Sequence, residues 1–349
     1  MKDTKDKMKT DISIISNYRS FIMGIAILWV AWFHTDLEIS IPGLSFLREV
    51  GYGGVDIFFF LSGIGACFSI TRNPDTVTFM KNRAKRILPS YYPFIIIWLI
   101  MMKFTAEIYG TEMIGNLTMM GWWSNSRCQF NWYTNAIWLF YLLAPLFVGI
   151  IYRAESGLKR VAVTITLMLA GFMISMTFWH TLLLTAFSRL LIFALGVYFG
   201  AEMLVDIKKG YEQPKEQKYI WQKYPVLFWN ASMVAGVVLL AFCLKKMSGY
   251  MWNYGLWWYP FVLITPGLCM DLGLLARLLG KSSTGNVIRK VIETAGDASF
   301  EIFLWHIGIF EFVKPRFEMN ALTWTLLLVA VVAWGILYRR VIQRLFRMK

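Results

Sequence analysis

Residues 51–70 read GYGGVDIFFFLSGIGACFSI, twenty positions with one side chain of the charged types, Asp56. About 20 helical residues cross the ~30 Å hydrocarbon core of a bilayer, so this stretch alone is long enough to be a membrane span. Nine more apolar stretches read the same way, at about 19–38, 88–106, 132–151, 161–179, 188–205, 225–244, 255–273, 298–314 and 320–338. The 349 residues are 57% hydrophobic and 16% charged, with mean hydropathy +0.52. A soluble domain carries roughly 25% charged residues, so a soluble fold is excluded. No Pro/Gly/Ser-rich linker or charge block divides the apolar stretches. The expectation is an all-α integral membrane protein with about ten transmembrane helices. A basic N-terminal arm (1–18) and a basic tail (339–349) flank one membrane domain (19–338).

The formal charge of +14 would suggest nucleic acid if the basic residues formed one patch. They come instead in short clusters between spans, and nucleic acid is not expected as a partner. With the N-terminus cytoplasmic, 27 of the 35 Lys and Arg fall on the inner side and 8 on the outer. That asymmetry, with an even number of spans, places both termini in the cytoplasm. The charged arm Met1 to Lys9 precedes the first span without a small-residue cleavage site, so it reads as part of an anchor rather than a removed signal peptide. Cys67, Cys243 and Cys269 lie in or near apolar spans, and only Cys128 lies in an outer loop. No extracellular disulfide, metal-ligand spacing, Gly-rich phosphate loop, zinc-protease motif or internal repeat is apparent.

An ionisable group at the centre of a span costs about 2.5 to 3.5 kcal/mol on insertion scales, so the few that occur need a partner, a wet cavity or a role. His34 lies near the outer end of span 1 and His306 in the middle of span 9, whereas His180 reads as a solvated boundary residue. Because consecutive spans are antiparallel, His34 and Asp56 fall at similar depth. A carboxylate on one imidazole nitrogen would leave the other as a base; an interhelical hydrogen bond of structural kind fits the same spacing. Arg83 and Arg86 share a helical face at i, i+3 before Pro89, which is expected to start span 3. They suit a phosphate-bearing ligand and equally satisfy the positive-inside rule. Arg19 precedes His34 by 15 residues. The two share a helix face about 22 Å apart, too far to touch but able to line one channel. Arg189 at the outer start of span 6 fits either a site or a snorkelling cation. Trp122, Trp123, Trp132 and Tyr133 suit either sugar stacking or an interfacial belt.

Five segments occur in a telling order. They are Trp32-Phe33-His34, GVDIFFFLSGIG (54–65), Arg83-Ala84-Lys85-Arg86-Ile87-Leu88-Pro89-Ser90-Tyr91, RLLIFALGVYFG (189–200) and Phe300-Glu301-Ile302-Phe303-Leu304-Trp305-His306. Together they resemble the membrane acyltransferase-3 family, over nearly the whole chain, in the form of a stand-alone membrane domain. The resemblance implies a ten-span enzyme of the cell membrane (the bacterial inner or plasma membrane). It would move an acyl group, commonly acetyl from cytoplasmic acetyl-CoA or another acyl-CoA, to a hydroxyl of a surface glycan or lipid-linked sugar. No permanently bound cofactor or metal is implied.

The family's span-1 histidine falls on His34 and its Gly-Val-Asp motif on Asp56. Its cytoplasmic arginines fall on Arg83 and Arg86. The family places an arginine eleven residues before the histidine, where this chain has Met23; Arg19, one turn earlier, is the nearest substitute. The expected roles are therefore His34 as base oriented by Asp56, with Arg19, Arg83 and Arg86 on the donor phosphates. Arg189 and His306 are secondary candidates. The competing readings are a transporter or flippase for a lipid-linked sugar, against which the absence of inverted repeats weighs, and a non-catalytic sensor or scaffold.

Overall fold

The computed structural model describes residues 12–105, 110–124, 132–179, 181–209 and 219–347. The arm Met1 to Lys9, Cys128 and His180 lie outside the described residues. Every one of the ten apolar stretches carries a helix. These are α1 (Arg19–Phe33), α2 (Gly53–Arg72), α3 (Thr76–Thr105), α4 (Trp132–Arg153), α5 (Gly157–Met176), α6 (Leu190–Lys209), α7 (Pro225–Lys246), α8 (Tyr259–Leu279), α9 (Ser299–Val313) and α10 (Ala321–Leu345). Among the described residues there is no strand. Seven of these stretches, all but α1, α3 and α9, are long and apolar enough to cross a membrane. The helices α1 and α9 have 15 residues each, and α3 has 30 with a charged first half.

One boundary differs from the sequence reading. Helix α3 starts at Thr76 and runs through Pro89 and Pro93. Its start is set by Asp75, whose carboxylate accepts from the Thr78 amide at 2.9 Å and the Val77 amide at 3.3 Å. These are two of the amides a helix start leaves without partners. That hydrogen-bonding to Thr78, side chain first and amide second, holds the Asp75 carboxyl below its usual range. A proline inside a membrane helix is tolerated where neighbouring helices satisfy the freed backbone groups. The extension makes the helical face shared by Arg83 and Arg86 part of α3 itself.

The centre of the bundle is α2 and α6, with 83% and 89% of their apolar windows buried against 17% for α5 and α7. Two glycines explain how α2 can be enclosed. A Cβ at Gly54 would strike Ala26 and Val30 of α1, and one at Gly63 would strike the backbone of α6 at Phe193 and Val197. Small residues at such contacts let membrane helices approach closely. Gly196 faces Phe60 and Gly63, and Gly200 faces Ile64 and Cys67, so α2 and α6 run parallel in register. At the other end of the chain, Asn320 caps α10 by accepting from the Leu322 and Thr323 amides, both at 3.0 Å. Cys67, Cys243 and Cys269 are buried free thiols.

Candidate active site

Three of the polar clusters among the described residues hold the side chains singled out in the sequence. The first is a narrow cleft lined by Arg19, Arg83, Arg86 and Arg339, together with Asp297, Ser299, Glu301, Tyr133 and Tyr141. It gathers residues from α1, α3, α4, α9 and α10, so the three arginines singled out in the sequence do converge. Arg19 donates one hydrogen bond, from Nη1 to the Leu61 carbonyl at 2.6 Å. Arg83 donates to the Gly65 carbonyl at 3.2 Å and lies over the rings of Phe79 and Tyr141 at 4.8 and 5.0 Å. Arg86 is exposed. Met23, the position at which the resemblance implies an arginine, also lines the cleft, and Arg19 one turn away brings a guanidinium to the same space.

Glu301 and Arg339 were not singled out by sequence reasoning. The buried Glu301 accepts from the Ser90 hydroxyl at 2.6 Å through Oε1. Its Oε2 lies 3.7 Å from Arg339 Nη1. Tyr338, the neighbour of Arg339, donates to the Ser90 carbonyl at 2.8 Å and ties α10 to α3 at this point. The scarcity of charge in α9 was the available signal for Glu301; Arg339 was absorbed by the positive-inside pattern.

The second cluster is a pair of histidines. His34, at the C-terminal end of α1, and His306, fully buried on α9, meet edge to face with ring centroids 4.9 Å apart. His34 Nδ1 lies 2.9 Å from the Val30 carbonyl, and His306 Nδ1 lies 2.6 Å from the Phe303 carbonyl. A carbonyl can only accept, so each Nδ1 carries the proton and each Nε2 is left as a lone-pair acceptor. His306 Nε2 is buried with no hydrogen-bond partner. At this end Lys314 is held by Asp36 at 2.8 Å and Glu311 at 3.7 Å.

The third cluster corrects an expectation. Asp56 does not orient His34; its carboxylate faces Arg189, with Nε to Oδ1 at 3.4 Å and Nη2 to Oδ2 at 3.5 Å. The reason is rotational. Gly54 is the α2 position that faces α1, and two residues further on, at about 100° per residue, the side chain points to the opposite side. There it meets α6. Arg189 is 1% exposed, donates to the Thr185 carbonyl at 2.6 Å, and lies over Trp132 at 5.2 Å and Trp258 at 4.8 Å. The tautomer of His34 is set by Val30 instead. Trp132, one of the aromatics considered for sugar stacking, thus packs on Arg189, while Trp122 is buried against Trp123 and Trp132.

One ring touches both of the first two clusters. Phe303 lines the arginine cleft, packs on Tyr133 at 4.9 Å and touches the His306 ring at 5.4 Å. Cleft and imidazoles are thus adjacent along α9, an arrangement that can hold an anion at one end and accept a proton at the other.

The sequence profile of the acyltransferase-3 family, described as an acyltransferase domain, matches residues 21–340. The chain belongs to the acyltransferase-3 family. It is therefore a multi-pass membrane protein of acyltransferase type, and the match takes in all three clusters except Arg19. No curated protein and no solved structure matches the chain.

Proposed function

We propose that this acyltransferase is an O-acyltransferase of the cell membrane. It takes acetyl, or another short acyl group, from cytoplasmic acyl-CoA and passes it to a hydroxyl of an exported or cell-surface glycan or lipid-linked sugar. In this reading the chain spans the membrane ten times with both termini in the cytoplasm, and the arginine cleft opens to the cytoplasm. The observation that carries it is the division of polar groups along shared helices. Four guanidinium groups from three helices surround one cleft, and two imidazoles with free Nε2 atoms face each other further along α1 and α9. Arginines suit the phosphates of coenzyme A. His34 Nε2 removes the acceptor's hydroxyl proton as its oxygen attacks the thioester carbonyl. The C–S bond then breaks and the leaving thiolate takes the proton from the imidazolium. Asp56 and Arg189 position this machinery by fixing α2 to α6 and do not touch the reacting atoms.

The test uses membrane vesicles from a deletion strain that hold the native acceptor, supplied with radiolabelled acetyl-CoA. His34→Ala should insert and fold as the parent does and lose about 10²- to 10⁴-fold in labelled acetyl transferred, the range for a missing general base. Transfer at the parental rate would remove His34 from the chemistry. In whole cells, loss of acetyl groups from an otherwise intact glycan supports the enzyme, whereas loss of the entire glycan supports a transporter.

A further inference from the structure

We infer that Arg339 is a phosphate-binding residue of the arginine cleft, supplied by the last helix, and that Glu301 holds it there; this rests on the donor reading above. Arg339 lies near the C-terminal end of α10, in the stretch whose charges the positive-inside rule accounts for. Its side chain is nevertheless 31% exposed and turned to the same cleft as Arg19, Arg83 and Arg86, unlike its neighbour Arg340, which is exposed.

The contact with Glu301 shows what Arg339 leaves free. At 3.7 Å from Nη1 to Oε2 it is an ion pair longer than a hydrogen bond, and Glu301 Oε2 is a buried atom without a hydrogen-bond partner. Glu301 is fixed from its other oxygen by Ser90. The carboxylate therefore steers the guanidinium by charge without consuming its N–H groups. A planar guanidinium with unused donors beside three others is suited to a phosphoryl group, which offers several acceptor oxygens. Its placement on α10 also means that a bound phosphate would tie the end of the chain to α1 and α3.

Two sources present a phosphoryl group here, coenzyme A and an anionic lipid headgroup, and the experiment separates them. Full-length protein is placed in nanodiscs of neutral lipid, where binding of coenzyme A and transfer from acetyl-CoA and from S-acetylpantetheine, which has no phosphate, are measured. Arg339→Ala should weaken coenzyme A binding at least about tenfold, the loss of one charge-assisted hydrogen bond. Its kcat/KM with S-acetylpantetheine should match the parent's. Arg339→Lys keeps the charge at the membrane edge and should lie between the two.

Equal losses with both donors would make Arg339 structural. Coenzyme A binding unaltered in the variants would overturn the assignment, and an effect that appears only when phosphatidylglycerol is added would reassign the residue to lipid. A parent protein that binds no coenzyme A would overturn the donor reading itself, an outcome distinct from parent and variant binding it equally.

Discussion

The Asp56–Arg189 pair and the arginine cleft are both built from guanidinium groups inside a helical bundle, and they are built in opposite ways. Arg189 is enclosed on all sides, with a carboxylate ahead, the Thr185 carbonyl to one side and indole rings against its faces, although its Nε makes an ion pair and no hydrogen bond. In the cleft, Arg19 and Arg83 each spend one donor on a backbone carbonyl, and Arg339 meets its carboxylate only at 3.7 Å. Desolvated charge is costly unless paired, so a fully enclosed ion pair is architecture. Guanidinium groups left with open donors at the edge of the bundle have a ligand still to meet.

The sharpest way to break this contrast is to unpair the enclosed charge. Arg189→Met leaves the Asp56 carboxylate buried among aromatics without its cation, and removal of one partner from such a pair costs about 3–5 kcal/mol. The loss should appear as a large drop in thermal unfolding temperature in detergent. Replacing both partners, Asp56→Leu with Arg189→Met, should recover most of it, because two apolar side chains of similar size need no pairing. If the single variant were as stable as the parent, the pair would not be the strut that its enclosure suggests.

The cleft should respond in activity and not in stability. Arg83→Ala together with Arg86→Ala should leave unfolding nearly unchanged and raise the KM for acetyl-CoA by about tenfold to a hundredfold, the range for charge-assisted hydrogen bonds to a donor phosphate. The measurement is initial rate against donor concentration in vesicles, with insertion checked by protease accessibility. An unchanged KM would assign the two residues to topology alone and erase the difference between the clusters.

How much of this could be read from the chain depends on which coordinate is asked for. The bilayer fixes length and hydropathy, so the positions of the helices were legible; the exception was α3, where Pro89 masked a start set by Asp75. Depth was legible only coarsely: His34 closes α1 and Asp56 opens α2, but Gly54 lies against Ala26 and Val30, which puts Asp56 about two turns further into the bundle than His34. Azimuth was not. Whether Asp56 turns to α1 or α6 depends on which glycine contacts which helix, and Gly54 contacts α1. The sequence does hold a trace of the answer: Asp56 and Gly63 are seven apart on α2, as are Arg189 and Gly196 on α6, two matching stripes at near two-turn spacing. The meeting of His34 with His306 and the arrival of Arg339 in the cleft that Arg19 lines join residues far apart in the chain and have no such local trace. Glu301 is one of only two carboxylates in the apolar α9, and unlike Glu311 it lies in the first turn, away from the Lys314 end.

The contrast also predicts what should matter least. Beside Arg189, the Ser175 and Tyr259 hydroxyls share a hydrogen bond that joins α5 to α8, a polar contact at similar depth but without net charge. Interhelical hydrogen bonds between neutral groups in membranes average about 0.6 kcal/mol, because the separated helices find other partners. Tyr259→Phe keeps the ring that packs on Phe172 at 5.1 Å and removes only the hydroxyl. It should lower the unfolding temperature slightly, several-fold less than Arg189→Met, and leave acetyl transfer as it was. Were Tyr259→Phe to cost as much as unpairing Arg189, hydrogen bonding rather than charge would be what fixes this end of the bundle. Enclosed charge would then lose its special standing among the contacts between these helices.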